Sequence, residues 1–474
     1  MNNKITIHWF RSDLRLDDNP SLAHACNQGR IIPVYIFDET NRVDFPLGQA
    51  SLTWLWKSLI LLNKSLSNNL IILKGPPLEI LLTLATENNV TGVFWNRCYT
   101  PWQISRDAII KREMQTRKIE CKTFNGSLLW EPWEVLKSDG TPYKVFTPYY
   151  RRGCLGAEHP RAPLTPPKEM SFAENIILKH PELPKSFSQH NWQSKILRHA
   201  SIGEKNAEKK LMAFLESGVL SYKRGRDFPS SGHVSKLAPN LHFGEISPNK
   251  IWSKVQNIIA DENTDNFKSE LAWREFSYYL LYHFPKITHQ NLRPQFDDFP
   301  WSSNPKGLND WKLGQTGIPM VDAGMRELWQ TGSMHNRLRM IVGSFLVKNL
   351  LIDWRLGARW FWDCLFDADL ASNTAGWQWI AGCGADAAPY YRIFNPVLQG
   401  KRFDPEGKYI KKYIPELRKL DLKYLFSPWE APHYCLMEAG VTMGESYPYP
   451  IVDLSASRKT ALEAFKTLKN NTSC

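Results

Sequence analysis

Over the first 125 residues, short apolar runs rich in β-branched side chains alternate with longer stretches of helical period. KITIHWF (4–10), RIIPVYIFD (30–38), LIILKG (70–75), TGVFWN (91–96) and IECKTF (119–124) read as strands. Helical patterns fill 20–27, 49–66, 77–88 and 102–117 between them. Such regular alternation predicts a parallel, doubly wound sheet with helices on both faces. The pattern then changes. Nine prolines fall between Pro132 and Pro184, in stretches such as EPWEVLKSDGTPYKVFTPYYRR and HPRAPLTPP that hold no sustained period. A connector draped over the surface is expected there.

From about residue 203 to 450 apolar positions recur at i, i+3 and i+4, as in AEKKLMAFLESG (207–218), ELAWREFSYYLLYHF (270–284) and VDAGMRELWQTG (321–332). Gly218 and Gly332 stand where C′ glycines would end helices. The expected organisation is α/β plus all-α: a Rossmann-like domain over 1–130, a linker over 131–198 and a helical domain over 199–474. The glycine-rich fingerprint after the first strand is absent and RSDLRLDDNP takes its place, so a nicotinamide cofactor in the usual position is not indicated.

Composition narrows the class. The longest apolar stretches, 341–347 and 350–352, are broken by Gly343, Lys348 and Asn349, which argues against a membrane span. The opening residues lack the apolar core of a signal peptide. Eight scattered cysteines with no CxxC pair read as reduced thiols in the cytoplasm, and they give no support for zinc. A net charge of +12 favours a polyanionic partner without establishing one. Nineteen tryptophans are available for stacking on bases, core filling or electron relay, and most must be core.

Several constellations carry candidate chemistry. In SYKRGRDFPSSGHVSKLAPNLHFGEISP (221–248) a Gly/Ser-rich turn opens toward a helix, where backbone N–H groups and Ser235 could cradle an anion. Glu270, Trp273, Arg274 and Ser277 share one helical face. In HNRLRM, Asn336 and Met340 lie four apart on one face, flanked by Arg337 and Arg339. DADLASN supplies Asp367, Asp369 and Asn373; no further ligand has suitable spacing, so no metal is expected. Trp377 and Trp379 project about 200° apart around a helix and face opposite sides. Each of these also has a plain structural reading as a capped loop, a surface ion pair or core packing.

Taken in order, these segments resemble the photolyase/cryptochrome family, most closely its photolyases for cyclobutane pyrimidine dimers. The likeness runs from HWFRSDLRLDDNP to FDPEGKYIKKYIPEL and is most specific over 270–284 and 333–380. It implies a carbon–carbon lyase that repairs UV-damaged DNA: reduced FAD, excited by blue or near-UV light, would pass an electron to a flipped-out dimer, whose ring opens before the electron returns. Photolyases are a known instance of base flipping. The resemblance assigns FAD binding to Tyr222, Val234, Ser235, Lys236, Leu237, Ala238, Arg274, Arg339, Asp367, Ala368, Asp369 and Asn373. Asp367 would pair with Arg339, and Asn373 would face flavin N5. It assigns lesion and DNA contacts to Arg226, Glu270, Trp273, Asn336, Arg337, Met340, Trp379 and Gln399. An electron relay would run through Trp301, Trp354 and Trp377, with Trp311 a poorer outer member.

Val234 and Lys236 depart from the more usual Thr and Arg, which removes a hydroxyl contact at 234. His335 is followed by Asn336 rather than a second histidine, which argues against (6-4) repair. Plant cryptochromes carry Asp where this chain has Asn373, so the alternative of a cryptochrome-like signalling protein is less favoured; no long C-terminal extension is expected either. An ordinary flavin oxidoreductase would need a substrate site that is not visible. A folate or deazaflavin antenna is expected as second chromophore, and a monomer is expected on DNA.

Overall fold

A computed structural model describes residues 4–41, 44–183, 190–387, 389–390 and 392–471. The chain divides into two compact units. The first comprises Met1–Ser194, Ala200–Leu220 and Ser235–Pro285; the second comprises Lys195–His199, Ser221–Val234 and Lys286–Cys474.

The first unit is built on five parallel strands, β1 (Ile5–Phe10), β2 (Arg30–Phe37), β3 (Ile71–Lys74), β4 (Val90–Asn96) and β5 (Glu120–Phe124), in the order β3-β2-β1-β4-β5. Helices α1 (Pro20–Gln28), α2 (Gln49–Ser65), α3 (Pro77–Glu87) and α4 (Pro101–Thr116) connect them. The central strands are buried almost throughout, as expected when helices cover both faces.

The strand order reverses at β1 and β4, the place where doubly wound sheets commonly bind ligands. Here the polar groups of the loop RSDLRLDDNP are taken up by partners within the same unit. Asn96 Nδ2 donates to Asp13 Oδ2 (2.6 Å) and Asn19 Oδ1 (2.7 Å), and Asn19 caps α1 by accepting from the Leu22 N–H. The Arg15 guanidinium donates to the carbonyls of Asp18, Gly126 and Gly244 at 2.7, 2.7 and 2.9 Å. Gly244 is required for this closure: its φ is +66°, and a Cβ there would lie 2.1 Å from the Ser12 carbonyl oxygen.

Further helices of this unit include α5 (Glu204–Glu216) and α6 (Glu262–His283). Helix α6 begins eight residues before the apolar periodicity because Asp261 and Thr264 form a reciprocal cap on a polar first turn. Helix α5 ends at Ser217, and Gly218 opens a 3₁₀ turn rather than supplying a left-handed cap.

The connector also differs from expectation. Residues 133–145 are mostly exposed, but Phe146, Tyr149, Tyr150 and Cys154 are buried, as are Leu128, Leu129 and Trp130 just before the connector. The reason lies in α6. Glu275 accepts from the N–H groups of Leu129 (2.8 Å) and Trp130 (3.4 Å), the Tyr279 hydroxyl accepts from the Tyr143 N–H (3.0 Å), and Phe146 stacks on Trp273 at 3.8 Å. Burial pushes the Glu275 carboxyl up to about 7, against the Arg274 charge beside it. Beyond residue 155 the connector is mostly exposed, touching the sheet where Ile31 exchanges hydrogen bonds with Ser171 and Ala173.

The second unit is helical, with α7 (Pro305–Leu313), α8 (Pro319–Thr331), α9 (Asn336–Ser344), α10 (Trp354–Cys364), α11 (Leu370–Ala381), α12 (Pro396–Phe403) and α13 (Lys408–Tyr413) among its elements. Its core contains Trp311, Trp354 and Trp377. Gly332 ends α8 in the left-handed region (φ +67°), as the sequence predicts. Among the described residues no helix is long and apolar enough to cross a membrane.

One buried carboxyl of the first unit gives a pH test. Glu245 accepts from Ser58 Oγ and Asn240 Nδ2, both at 2.6 Å, yet burial raises its pKa from 4.5 to about 7. The unfolded chain loses this proton first, so stability falls as pH rises through that window. Glu245→Gln should therefore gain in Tm relative to wild type between about pH 5 and about pH 8. A pH-independent difference in Tm would show that the carboxyl is ionised throughout.

Candidate functional site

The motif-rich segment of the second unit is organised around the start of α9. His335 caps this helix, its Nδ1 accepting from the Arg337 N–H at 3.2 Å, and burial followed by the neighbouring arginines lowers its pKa to about 4. The imidazole is thus neutral at physiological pH. Glu327 on α8 fixes the same turn: its carboxylate accepts from the His335 N–H (3.3 Å) and from the hydroxyls of Tyr409 (2.6 Å) and Tyr413 (3.4 Å). From this anchored start Asn336 is exposed, while Met340, one turn on, is half-buried.

Two arginines leave α9 with different partners. The Arg339 guanidinium donates to both carboxylate oxygens of Asp367 at 2.9 Å, and its Nε donates to the Met334 carbonyl. Arg337 donates to Asp227 Oδ1 at 2.5 Å and lies 4.3 Å above the Phe403 ring, on the helix α12 that also carries Gln399. Gln399 Oε1 is buried without a hydrogen-bond partner. Arg226 lies 5.4 Å from the ring of buried Tyr222.

Downstream, Asp369 caps α11 by accepting from the Ser372 N–H at 2.7 Å, and Ala368 is buried. The Asn373 amide donates to the Ala358 carbonyl at 3.0 Å. The segment 367–373 is therefore held at both ends by hydrogen bonds, with a guanidinium on its first carboxylate and a neutral amide on its first helical turn.

The tryptophans separate as their spacing predicts. Trp377 is buried and Trp379, two residues on, is partly exposed. Trp377 packs edge-on against Phe361 (4.9 Å) and Trp311 (6.2 Å). It also fills the space left by Gly357, where a Cβ would come within 2.2 Å of the indole. Trp354 begins α10 in the core and donates its Nε1–H to Asn291 Oδ1 at 3.0 Å. Trp301 is partly exposed beside Phe299 at 4.5 Å. Trp311 is wholly buried and donates to the Val342 carbonyl, which leaves it no surface to serve as an outer member.

The first unit carries the remaining candidates. On α6, Trp273 is stacked on Phe146, and Arg274 donates to the Ser127 carbonyl (2.9 Å) and to Glu275 (3.0 Å), its neighbour along the helix. In the loop after Val234, Leu237 is buried, so its side chain is committed to the core, whereas Lys236 and Ala238 are exposed. Lys236 holds φ at +53°, unusual for a residue with a Cβ, and its carbonyl accepts from Lys210 Nζ at 3.0 Å. Burial lowers the Lys210 pKa to about 8.

Glu275, Glu327, Asp227, Asn291 and Gly357 shape these sites, and none is singled out by its sequence neighbourhood. Among the described residues no group of three or more His, Cys, Asp or Glu could hold a metal ion.

Comparison with known proteins identifies the family. Residues 267–467 match the family described as the FAD binding domain of DNA photolyase, and residues 6–168 match DNA photolyase. The chain is 43% identical over 484 residues to the deoxyribodipyrimidine photo-lyase of Agrobacterium fabrum, covering 98% of each chain. It is 37% identical over 482 residues to cryptochrome-2 of Arabidopsis thaliana, covering 98% of this chain and 79% of that one. Among solved structures, a bacterial class III photolyase from Agrobacterium tumefaciens superposes with a TM-score of 0.94 at 42% identity, over 99% of this chain and 98% of that chain. With such identity sustained along nearly the whole length, the chain belongs to the DNA photolyase/cryptochrome family.

Proposed function

We propose that this protein is a light-driven lyase that splits cyclobutane pyrimidine dimers in UV-damaged DNA. The observation that carries the reading is the pairing of two neutral amides with one neutral imidazole: Asn336 stands directly after a His335 that burial keeps uncharged, and Asn373 is anchored to Ala358. A second histidine at 336, or a carboxylate at 373, would suit (6-4) repair or signalling instead.

The residues present fit FAD. Within the second unit, Arg339 is clamped on Asp367 while Asn373 offers an uncharged amide, and Tyr222, Val234, Ala368 and Asp369 belong to the same set. Within the first unit, Ser235, Lys236, Leu237, Ala238 and Arg274 keep their proposed cofactor role. The strained backbone at Lys236, steadied by Lys210, is the kind of conformation that persists where main-chain groups are aimed at a ligand. When bound and fully reduced, FAD supplies the photoexcited electron that opens the dimer, and it recovers that electron afterwards.

The chain's own residues do the rest. Asn336, Met340 and Trp379 in the second unit, with Glu270 and Trp273 in the first, are assigned to the extruded dimer. Arg226, Arg337 and Gln399 are assigned to flanking phosphates, where a guanidinium fork matches phosphate oxygens. Trp301, Trp354 and Trp377 are assigned to the relay that keeps the cofactor reduced. An antenna chromophore, folate or deazaflavin, is part of the reading, as are a monomeric state and a cytoplasmic location. The similarity to cryptochrome-2 makes blue-light signalling without repair the second reading.

Three measurements test these assignments. Purified, photoreduced protein should remove dimers from a thymine-dimer oligonucleotide under blue light and not in darkness; absence of repair despite bound, reducible FAD would move the protein to the signalling or (6-4) branch. Arg337→Gln should weaken binding to damaged and undamaged DNA and lower the slope of log affinity against log salt by about one. Gly357→Ala should cost about 1–3 kcal/mol of stability by overpacking. The same variant should slow light-driven reduction of the flavin while leaving chemical reduction in the dark unchanged; equal light-driven rates would separate Trp377 from the relay.

A further inference from the structure

The contact that distinguishes Trp354 from other buried indoles of the second unit is a side-chain amide. Trp354 is 1% exposed and Asn291 is 5% exposed, and the indole Nε1–H donates to Asn291 Oδ1 at 3.0 Å. Asn291 Nδ2 in turn donates to Asp297 Oδ1 at 2.7 Å. The amide can stand only one way round, because the indole has no acceptor and the carboxylate no donor. On the other side of the ring, Arg355 lies 4.9 Å from the indole, with its charge partly answered by Asp353 at 3.0 Å and its Nε donating to the His289 carbonyl. Asp297, Arg355 and Asp353 thus place charge beside this tryptophan and its acceptor.

We infer that Asn291 is a positioning residue for electron relay, a hydrogen-bond acceptor for Trp354 that is too weak a base to take its proton. This rests on the relay assigned above. When Trp354 gives one electron to oxidised Trp377, it becomes an indole radical cation whose N–H is strongly acidic. An amide oxygen holds that hydrogen without accepting it, so no bond breaks. One electron arriving from Trp301 then restores Trp354; the flavin, when bound and photoexcited, would be the oxidant of Trp377, and an external one-electron donor such as a thiol in solution would refill Trp301. The Asp297 carboxylate, one hydrogen bond further out, favours the positive charge through the oriented amide and is too remote to remove the proton. A carboxylate in place of the amide would take the N–H proton and leave a neutral radical. Resetting that radical needs a proton as well as an electron, so the relay would stall.

The test is flash spectroscopy of wild type, Asn291→Asp, Asn291→Ala and Trp354→Phe in FAD-loaded full-length protein, recording the tryptophan radical spectrum and the rate of light-driven flavin reduction. Wild type and Asn291→Ala should both show the radical-cation spectrum at Trp354. Asn291→Asp should show the neutral radical, with photoreduction slowed several-fold. Because the new carboxyl would face Asp297, the two would share a proton and titrate late. The same variant should therefore revert to the cation spectrum in acid, an internal control that needs no comparison of folding. A cation spectrum in Asn291→Asp at all pH values, or a neutral radical already in Asn291→Ala, overturns the inference. Normal photoreduction in Trp354→Phe would overturn the relay itself, a separable failure.

Discussion

Burying an indole obliges a fold to find an acceptor for its N–H, and a chain with nineteen tryptophans meets that constraint repeatedly. The solutions differ by place. In the second unit, Trp311 donates to the Val342 carbonyl and Trp354 to the Asn291 amide. In the first unit, Trp54 shares Glu245 with Ser58, and Trp130 donates to the Glu158 carbonyl. Trp9 and Trp95 in the sheet find no hydrogen-bond partner; instead Arg11 lies over both rings and Arg106 lies over Trp9. The choice of partner decides what each ring can do. A backbone carbonyl fixes position, whereas a side chain such as Asn291 also brings the electrostatics of the groups beyond it.

Local pattern made much of this legible. The five strands and four intervening helices of the sheet follow from β-branched runs and 3.6-residue periods, and their ends shift by only a residue or so because caps such as Asn19 and prolines at helix starts mark them. What escaped was held by distant contacts. Helix α6 starts at a polar turn that has no apolar period, and the chain entering the connector is held by Glu275, 146 residues away from Leu129. The motif residues of α9 and α11 are recognisable because their spacing is helical. Their supports are not, since Asn291 lies 63 residues from Trp354 and Glu327 meets Tyr409 across 82.

A division of labour runs through the second unit. Positive charge is placed by pairing, with Arg339 on Asp367 and Arg337 on Asp227, so each guanidinium is oriented before any ligand arrives. Neutral polar groups, the amides of Asn373 and Asn291 and the imidazole of His335, stand among these charges, with Asn373 held on the Ala358 carbonyl and Asn291 between Trp354 and Asp297. Shape is set by omission: Gly357 leaves a hollow that the Trp377 ring fills together with Leu346, so the packing of α10 on α11 and the seat of the indole are one feature.

His335 carries a consequence of its own. Among arginines, an exposed imidazole would gain or lose a proton as the surroundings drift through neutrality, and the field over the start of α9 would drift with it. Half-buried, and with Nδ1 committed to the Arg337 N–H, this one stays uncharged until the medium approaches pH 4. Its contribution to that face is therefore constant across mild acid and mild base, and the start of α9 keeps one field over the whole of that range.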